Sequence, residues 1–307
     1  MDFYKVLNKK ECHYNLQYKF GLNIDPIKFR PSGDCEPGGI YFSREDILTF
    51  LYCGPYIRKV TLPEDAQIYE NPGEPKKWKA NKVILGKREK ITAEVIKRLI
   101  DEGANPNIGD DYPLRWAAKH GYTEIVKLLL HLSNSKTNNH MALRWAAMNG
   151  HTDIVKLLIP VFDPKSYDSI ALRHAAENGH TEIVKLLIPV SNPKACYSEA
   201  LRNAAQSGHT EIVKLLIPVS DPKACNSIAL RLAARYGHID IVKLLIPISN
   251  PKANDSEALQ WAAGNGYTDI VKLLIPISEI DDEVINYCKV CCKNQKIYNL
   301  IISNKSI

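Results

Sequence analysis

Between positions 142 and 160 the chain reads ALRWAAMNGHTDIVKLLIP, with apolar residues spaced for two short helices. Over residues 142–149, Leu143, Ala146 and Ala147 fall on one helical face, and the alanines let a neighbouring helix come close. Gly150 interrupts the pattern and can take the left-handed conformation that ends a helix. Thr152 is placed to cap the second helix, with Asp153 at its positive end. There Ile154, Val155, Leu157 and Leu158 make a mostly buried surface, while Lys156 faces water. Pro160 cannot extend the helix and disfavours it at the residue before. Loops such as VSNPK follow, and then a serine (Ser169, Ser198, Ser227, Ser256) stands where the next helix needs its cap.

The pattern returns. The leucine that precedes Arg or Gln falls at Leu114, Leu143, Leu172, Leu201, Leu230 and Leu259, each 29 residues after the last. Self-similarity at a fixed short period is the mark of a stacked array. One helix pair of this size cannot bury its own apolar faces, whereas stacked copies bury one another's in a solenoid. Leu143, Ala146, Ala147, Ile154, Leu157 and their equivalents are the expected core.

The run Gly-His-Thr-Asp/Glu-Ile-Val-Lys-Leu-Leu resembles the second-helix signature of the ankyrin-repeat family, and EGANPN (102–107) resembles that family's following turn. The resemblance covers about residues 91–275. It implies a protein-binding array whose concave groove is lined by first-helix side chains. The family unit has about 33 residues; the shorter unit here lacks four in the connection, where the family has a β-hairpin finger. The family's Thr-Pro-Leu-His is replaced by Glu/Ile/Met-Ala-Leu-Arg. Neither the finger nor the family's Thr–His hydrogen bond is therefore carried over to this chain.

The expected fold is mainly α: an ankyrin-type solenoid of 29-residue repeats preceded by a small α+β domain. The amino-terminal module spans residues 1–90. The array spans 91–307, with an opening half-repeat (91–110), six repeats (111–280) and a degenerate cap (281–307). The opening stretch ITAEVIKRLI reads as a second helix without its first. Residues 281–302 keep apolar spacing at Ile285, Cys288 and Cys291 but lose the Gly-His-Thr turn, as a terminal unit does.

Nothing before Lys90 repeats. Pro and Gly cluster at 31–39 and 71–75 around the short apolar run GGIYFS. REDILTFLYCG is helix-like through Ile47, Leu48, Phe50 and Leu51, and YIRKVTLPEDAQIYE and WKANKVIL alternate as strands do. GGIYFS, VTLPEDAQIYE and KANKVIL together are similar to the amino-terminal module of giant-virus ankyrin proteins of the mimivirus type. GIYFS, a helix, then a strand ending Ile68-Tyr69-Glu70 is also similar to part of the ADP-ribosyltransferase fold. That likeness implies Tyr41 stacking on nicotinamide, with a histidine (His13) and a late glutamate completing the site. The late strand, 78–85, holds no acidic residue, so Tyr41, a histidine and a carboxylate are not expected to converge.

Composition adds bounds. The chain is 307 residues, 45% hydrophobic and 24% charged, hence globular, and no 18-residue apolar run suggests a membrane span. The charged start MDFYKVLNKKECHYNL is unlike a signal peptide, so a cytoplasmic location is expected (host-cell cytoplasm if the chain is viral). The eight cysteines then read as thiols. A net charge of +6 permits an acidic partner without demanding one.

Three columns of first-helix positions vary while the frame does not. One is Trp116, Trp145, His174, Asn203, Leu232 and Trp261. The second is Lys119, Met148, Glu177, Gln206, Arg235 and Gly264. The third is His120, Asn149, Asn178, Ser207, Tyr236 and Asn265. Trp, Tyr and Arg on a surface are what binding hot spots favour, and these columns are the expected partner-binding face, with the tryptophans partly exposed; the bland alternative is inter-repeat filler. Three basic columns compete. Arg115, Arg144, Arg173, Arg202 and Arg231 read as each bonding a carbonyl in a neighbouring loop. Lys127, Lys156, Lys185, Lys214, Lys243 and Lys272 each follow an acid by three residues, a surface pair. Lys136, Lys165, Lys194, Lys223 and Lys252 lie in loops. A polyanion-binding stripe is the alternative they allow, although nucleic-acid binders are more basic. Cys288-x-x-Cys291-Cys292 is half of a zinc pattern and reads as helix core. The reading is a monomeric protein-binding scaffold, with no catalytic residue, cofactor, metal, membrane or nucleic-acid partner expected. Its enzyme alternative is a degenerate transferase-like module aimed by the array.

Overall fold

The computed structural model describes residues 2–13, 16–32, 36–132, 140–292 and 294–305. It separates into two compact units, Met1–Ala142 and Leu143–Ile307.

The first unit opens with strands: β1 (Phe3–Leu7), β2 (Cys12–His13), β3 (Leu16–Gln17), β4 (Gly21–Ile24) and β5 (Ile40–Phe42). After a 3-10 helix at Ile47–Cys53 come β6 (Tyr56–Thr61), β7 (Ile68–Glu70), β8 (Trp78–Ala80), β9 (Lys82–Leu85) and β10 (Glu89–Lys90). One antiparallel sheet has the order β1-β6-β9-β4, with β10 also on β6; a second has β5-β8-β7. Register is set by pairs such as Val6↔Ile57 and Asn23↔Val83. Leu7, Tyr18, Ile40, Phe42, Val60, Trp78, Ala80, Val83 and Leu85 form the core. The strands expected at 56–70 and 78–85 are present, and each stretch is split in two. The helix-like stretch is a 3-10 helix, and the four strands before residue 25 were not read from sequence. Three helices complete the unit: α1 (Ala93–Asp101), α2 (Ile108–His120) and α3 (Thr123–Leu130).

The second unit is helical, taking in α4 (His140–Met148) from Leu143 onward. Pairs follow: α5 (Thr152–Leu158), α6 (Ser166–Glu177), α7 (Thr181–Leu187), α8 (Ala195–Ser207), α9 (Thr210–Leu216), α10 (Ala224–Tyr236), α11 (Ile239–Leu245), α12 (Ala253–Gly264) and α13 (Thr268–Leu274). The carboxyl end is α14 (Asp282–Cys291) and α15 (Gln295–Ile302). α8 packs between α6 and α10, and α10 between α8 and α12. Leu143, Ala146, Ala147, Ile154, Val155 and Leu158 are at most 2% exposed, and their equivalents in later repeats match. Leu157, expected in the core, is only half-buried, as are Leu186, Leu215, Leu244 and Leu273. At about 100° per residue, Ile154, Val155 and Leu158 share one arc and Leu157 falls beside it.

Two expected caps are absent. Thr152 is the first helical residue and neither it nor its equivalents makes a side-chain cap bond. The serines do not cap their own helices either. Each instead ends a run of three left-handed residues: 167–169, 196–198, 225–227 and 254–256, all with φ between 48° and 59°. Such a conformation costs a non-glycine residue roughly 1–2 kcal/mol, and bonds to the neighbouring repeat offset it. The buried hydroxyls of Ser169, Ser198, Ser227 and Ser256 accept the backbone N–H of Asn192, Asp221, Asn250 and Glu279, each at 2.8 Å. This left-handed turn occupies the connection where the sequence lacked room for a finger.

Candidate functional site

The first helices of the second unit present two kinds of residue. Frame positions are spent on the stack. The glycines ending the first helices are left-handed, and at Gly150, Gly179, Gly208 and Gly237 a Cβ would strike the next repeat: at Gly179 it would lie 2.7 Å from the His209 ring. His180, His209 and His238 bond through Nε2 to the carbonyls of Met148, Glu177 and Gln206 in the preceding repeat, at 2.9–3.0 Å. These histidines therefore fasten one repeat to the last.

The arginines are fastened too. Arg173 donates to the carbonyl of Tyr167 at 3.0 Å and Arg231 to those of Cys225 and Asn226 at 2.9 and 3.1 Å, all on the left-handed turn of their own repeat. Arg202 reaches Cys196 at 3.4 Å. Arg173 and Arg231 also pair with Glu199 and Glu257 of the following repeat. In the first unit Arg115 bonds Gly109 in the same way. The loop carbonyl anticipated for this column is thus the repeat's own. Second-helix lysines pair three residues back, as with Lys185–Glu182 and Lys214–Glu211 at 2.6 Å. Lys165, Lys194, Lys223 and Lys252 are exposed in the loops; Lys136 lies outside the described residues.

The variable columns carry the remaining surface. Trp145, His174, Asn203, Leu232 and Trp261 are half-buried. Glu177, Gln206 and Arg235 are exposed, with Met148 at 41%, whereas Gly264 is half-buried. In the third column Asn149, Asn178, Ser207, Tyr236 and Asn265 are exposed. Asn149, Asn178 and Asn265 each donate to the carbonyl four residues back at 2.8 Å, so part of this column also finishes its own helix. Arg235 lies 4.9 Å over the Trp261 ring and 5.8 Å over Tyr236, and His174 meets Glu177 at 3.1 Å. Met148, Glu177, Gln206, Arg235 and Tyr236 thus come from successive first helices.

In the first unit Lys119 and His120 are exposed, but Trp116 is 6% exposed and not the partly open ring expected. Tyr122 stands where the next four repeats have histidine and the last has Tyr267; its ring lies 4.9 Å from Trp116, and His120 lies 5.2 Å away. Tyr122 and His120 both lie against the indole. Also in this unit, His13 and Tyr41 line one cavity, and among the described residues no Asp or Glu lines it with them. Cys288 is buried, its thiol pushed up to about 12 by burial and by Cys292.

The family model for ankyrin repeats in three copies matches residues 87–168, 114–196, 162–226 and 201–287. The chain belongs to the ankyrin-repeat family. It is similar to ankyrin repeat protein R229 of Acanthamoeba polyphaga mimivirus, 39% identical over 140 residues, 41% of this chain and 46% of that protein. Ankyrin repeat protein R868 of the same virus is 36% identical over 136 residues, 42% of this chain and 66% of R868. Protein R869 of that virus is 36% identical over 133 residues, 42% of this chain and 96% of R869. The chain thus matches about half to two thirds of the length of the first two. Ankyrin repeats generally mediate protein–protein interaction. Among the described residues no helix is long and apolar enough to cross a membrane.

Proposed function

We propose that this chain is a non-enzymatic recognition protein whose ankyrin array, residues 91–307, grips a protein partner through first-helix side chains. A module of residues 1–90 precedes the array. The supporting observation is a division of labour. Frame positions are buried or bonded between repeats, while Met148, Glu177, Gln206, Arg235 and Tyr236 are exposed and differ in chemistry from repeat to repeat. Met148, Arg235 and Tyr236 among them are the kinds of exposed side chain that binding hot spots favour. Trp145 and Trp261 flank that surface, and Lys119 and His120 are the corresponding candidates in the first unit. The partner in this reading is a host-cell protein, in keeping with the viral relatives, and the chain meets it in the cytoplasm as a monomer.

The arginine column favours this reading over polyanion binding, because Arg173 and Arg231 are held by carbonyls and glutamates. The test uses the full chain as bait in a lysate of the host amoeba, beside a Met148→Ala/Tyr236→Ala double variant. Specific capture by the wild type alone supports the reading. Equal capture by both baits, or capture of nucleic acid that is lost on adding salt, refutes it.

A further inference from the structure

The first unit holds a cavity of about 370 Å³ between β1, β2, β5 and the 3-10 helix. Its inner wall includes Lys5 and Tyr18, both buried, while Tyr52 (66% exposed) and His13 stand where it meets solvent. Lys5 donates to the backbone carbonyl of Tyr41 at 2.8 Å, and its ammonium lies 4.8 Å from the centre of the Tyr18 ring. No carboxylate pairs with it among the described residues.

That is an unusual place to leave a cation. Burying a charge is costly unless it is paired and hydrogen-bonded. Nearby, the same unit obeys this rule: buried Arg58 holds Glu11 through two bonds of 2.8 and 3.1 Å and also reaches the Gly86 carbonyl. Lys5 has one carbonyl and one ring face for three ammonium hydrogens, and it borders an open space. The lining around that space is largely apolar and aromatic, including Ile47, Phe50 and Tyr52, with a second lysine, Lys77, whose Nζ lies 5.5 Å from the Tyr41 ring centre.

We infer that this cavity binds a small organic anion, with a carboxylate or phosphate head against Lys5 and an apolar body against Ile47, Phe50 and Tyr52. The ligand's head supplies the countercharge that the protein omits, and its body excludes water from the pair. Ligand pockets run from about 300 to 1,000 Å³, so this volume suits a molecule of about one ring. The site is separate from the array surface and stands independently of the proposed function.

The test is a ligand-observed NMR titration of the full chain with benzoate, phenyl phosphate and the neutral benzyl alcohol. Benzoate or phenyl phosphate should bind, and whichever binds tighter identifies the head group. Benzyl alcohol should bind more weakly than either. Lys5→Met should weaken the anion about tenfold or more, as losing one partner of a buried charge pair does, without weakening benzyl alcohol. Tyr52→Glu, a change at an exposed rim position, should weaken the anion severalfold and serves as the deciding variant if Lys5→Met does not fold. The inference is overturned if neither anion binds at millimolar concentration. It is equally overturned if the neutral probe binds as well as the anions, or if both folded variants bind the anion as the wild type does.

Discussion

Replacing Ser198 by alanine removes one hydroxyl from the middle of the second unit and should be felt there. Ser198 is 1% exposed and its Oγ accepts the N–H of Asp221, 23 residues on, at 2.8 Å. A hydrogen bond is worth a net ~0.5–1.5 kcal/mol, and leaving a buried donor unpaired costs ~1–3 kcal/mol. Asp221 is itself exposed, so water partly replaces the bond and a loss of about 1–2 kcal/mol is expected. Alanine keeps the left-handed backbone, φ 59°, with its strain. Ser198→Gly loses the same bond but relieves roughly 1–2 kcal/mol of that strain, against a greater chain entropy in the unfolded state of about 0.5–1 kcal/mol. Glycine should therefore be the milder change. Urea unfolding followed by tryptophan fluorescence measures both. With a slope of about 2 kcal/mol per molar, Ser198→Ala should lower the midpoint by about 0.5–1 M and Ser198→Gly by less. An unchanged midpoint for Ser198→Ala, or a larger loss for glycine than for alanine, would refute the offsetting of left-handed strain by inter-repeat bonds.

Leu201→Ala should cost roughly 2–5 kcal/mol by leaving a cavity between α6 and α10, whereas the same change at Leu259 should fray the carboxyl end first; identical hydrogen-exchange loss across the unit from both sites would contradict neighbour-only stacking. Gly208→Ala should destabilise by more than about 1 kcal/mol, because its Cβ would lie 2.7 Å from the His238 ring at φ 80°; calorimetry would show it. Lys5, lowered to about 8 by burial from its usual 10.5, with Cys53 acting the other way, gives a pH test. Between about pH 8 and 10 the unfolded chain carries a proton on Lys5 that the folded one lacks, so stability should rise with pH there relative to Lys5→Met. Tyr4, His13, Tyr18, Tyr41, Tyr52, Cys12, Cys53 and Lys77 also border the cavity and are present in both proteins, His13 and Cys53 among them feeling the charge of Lys5; a relative fall would oppose the burial of this amine.

The helix pairs and their core were legible because period 29 and helical spacing are both local signals, and Leu201, Ala204 and Ala205 sit where they indicate. The caps were misread for a physical reason. Ser198 and its equivalents occupy cap-like places in sequence, but their acceptor role is satisfied by a residue in the next repeat, which no local pattern reveals. Three left-handed residues such as Cys196, Tyr197 and Ser198 have no compositional signature at all. Trp116 is covered where Trp145 and Trp261 are not, because the rings of both His120 and Tyr122 lie against it, a pairing that helical phase alone does not reveal. Lys5 was passed over because β1 reads as an ordinary charged start; its burial follows from long-range pairing with β6. In the candidate face, exposure at Met148 and Tyr236 followed from helical phase, while the carbonyl bonds of Asn149 and Asn178 depended on side-chain reach.

First-helix recognition requires that the partner sit on the first-helix face. The deciding measurement is the dissociation constant of the captured protein for the wild type, Trp145→Ala, Tyr236→Ala and Lys156→Glu, each checked for an unchanged unfolding curve. First-helix recognition predicts that Trp145→Ala or Tyr236→Ala weakens binding by about 2 kcal/mol or more, roughly thirtyfold, and that Lys156→Glu, on the second helix, changes it little. If Lys156→Glu abolishes binding while Trp145→Ala and Tyr236→Ala only unfold the array, the aromatic residues are filler and the first-helix face is not the binding surface.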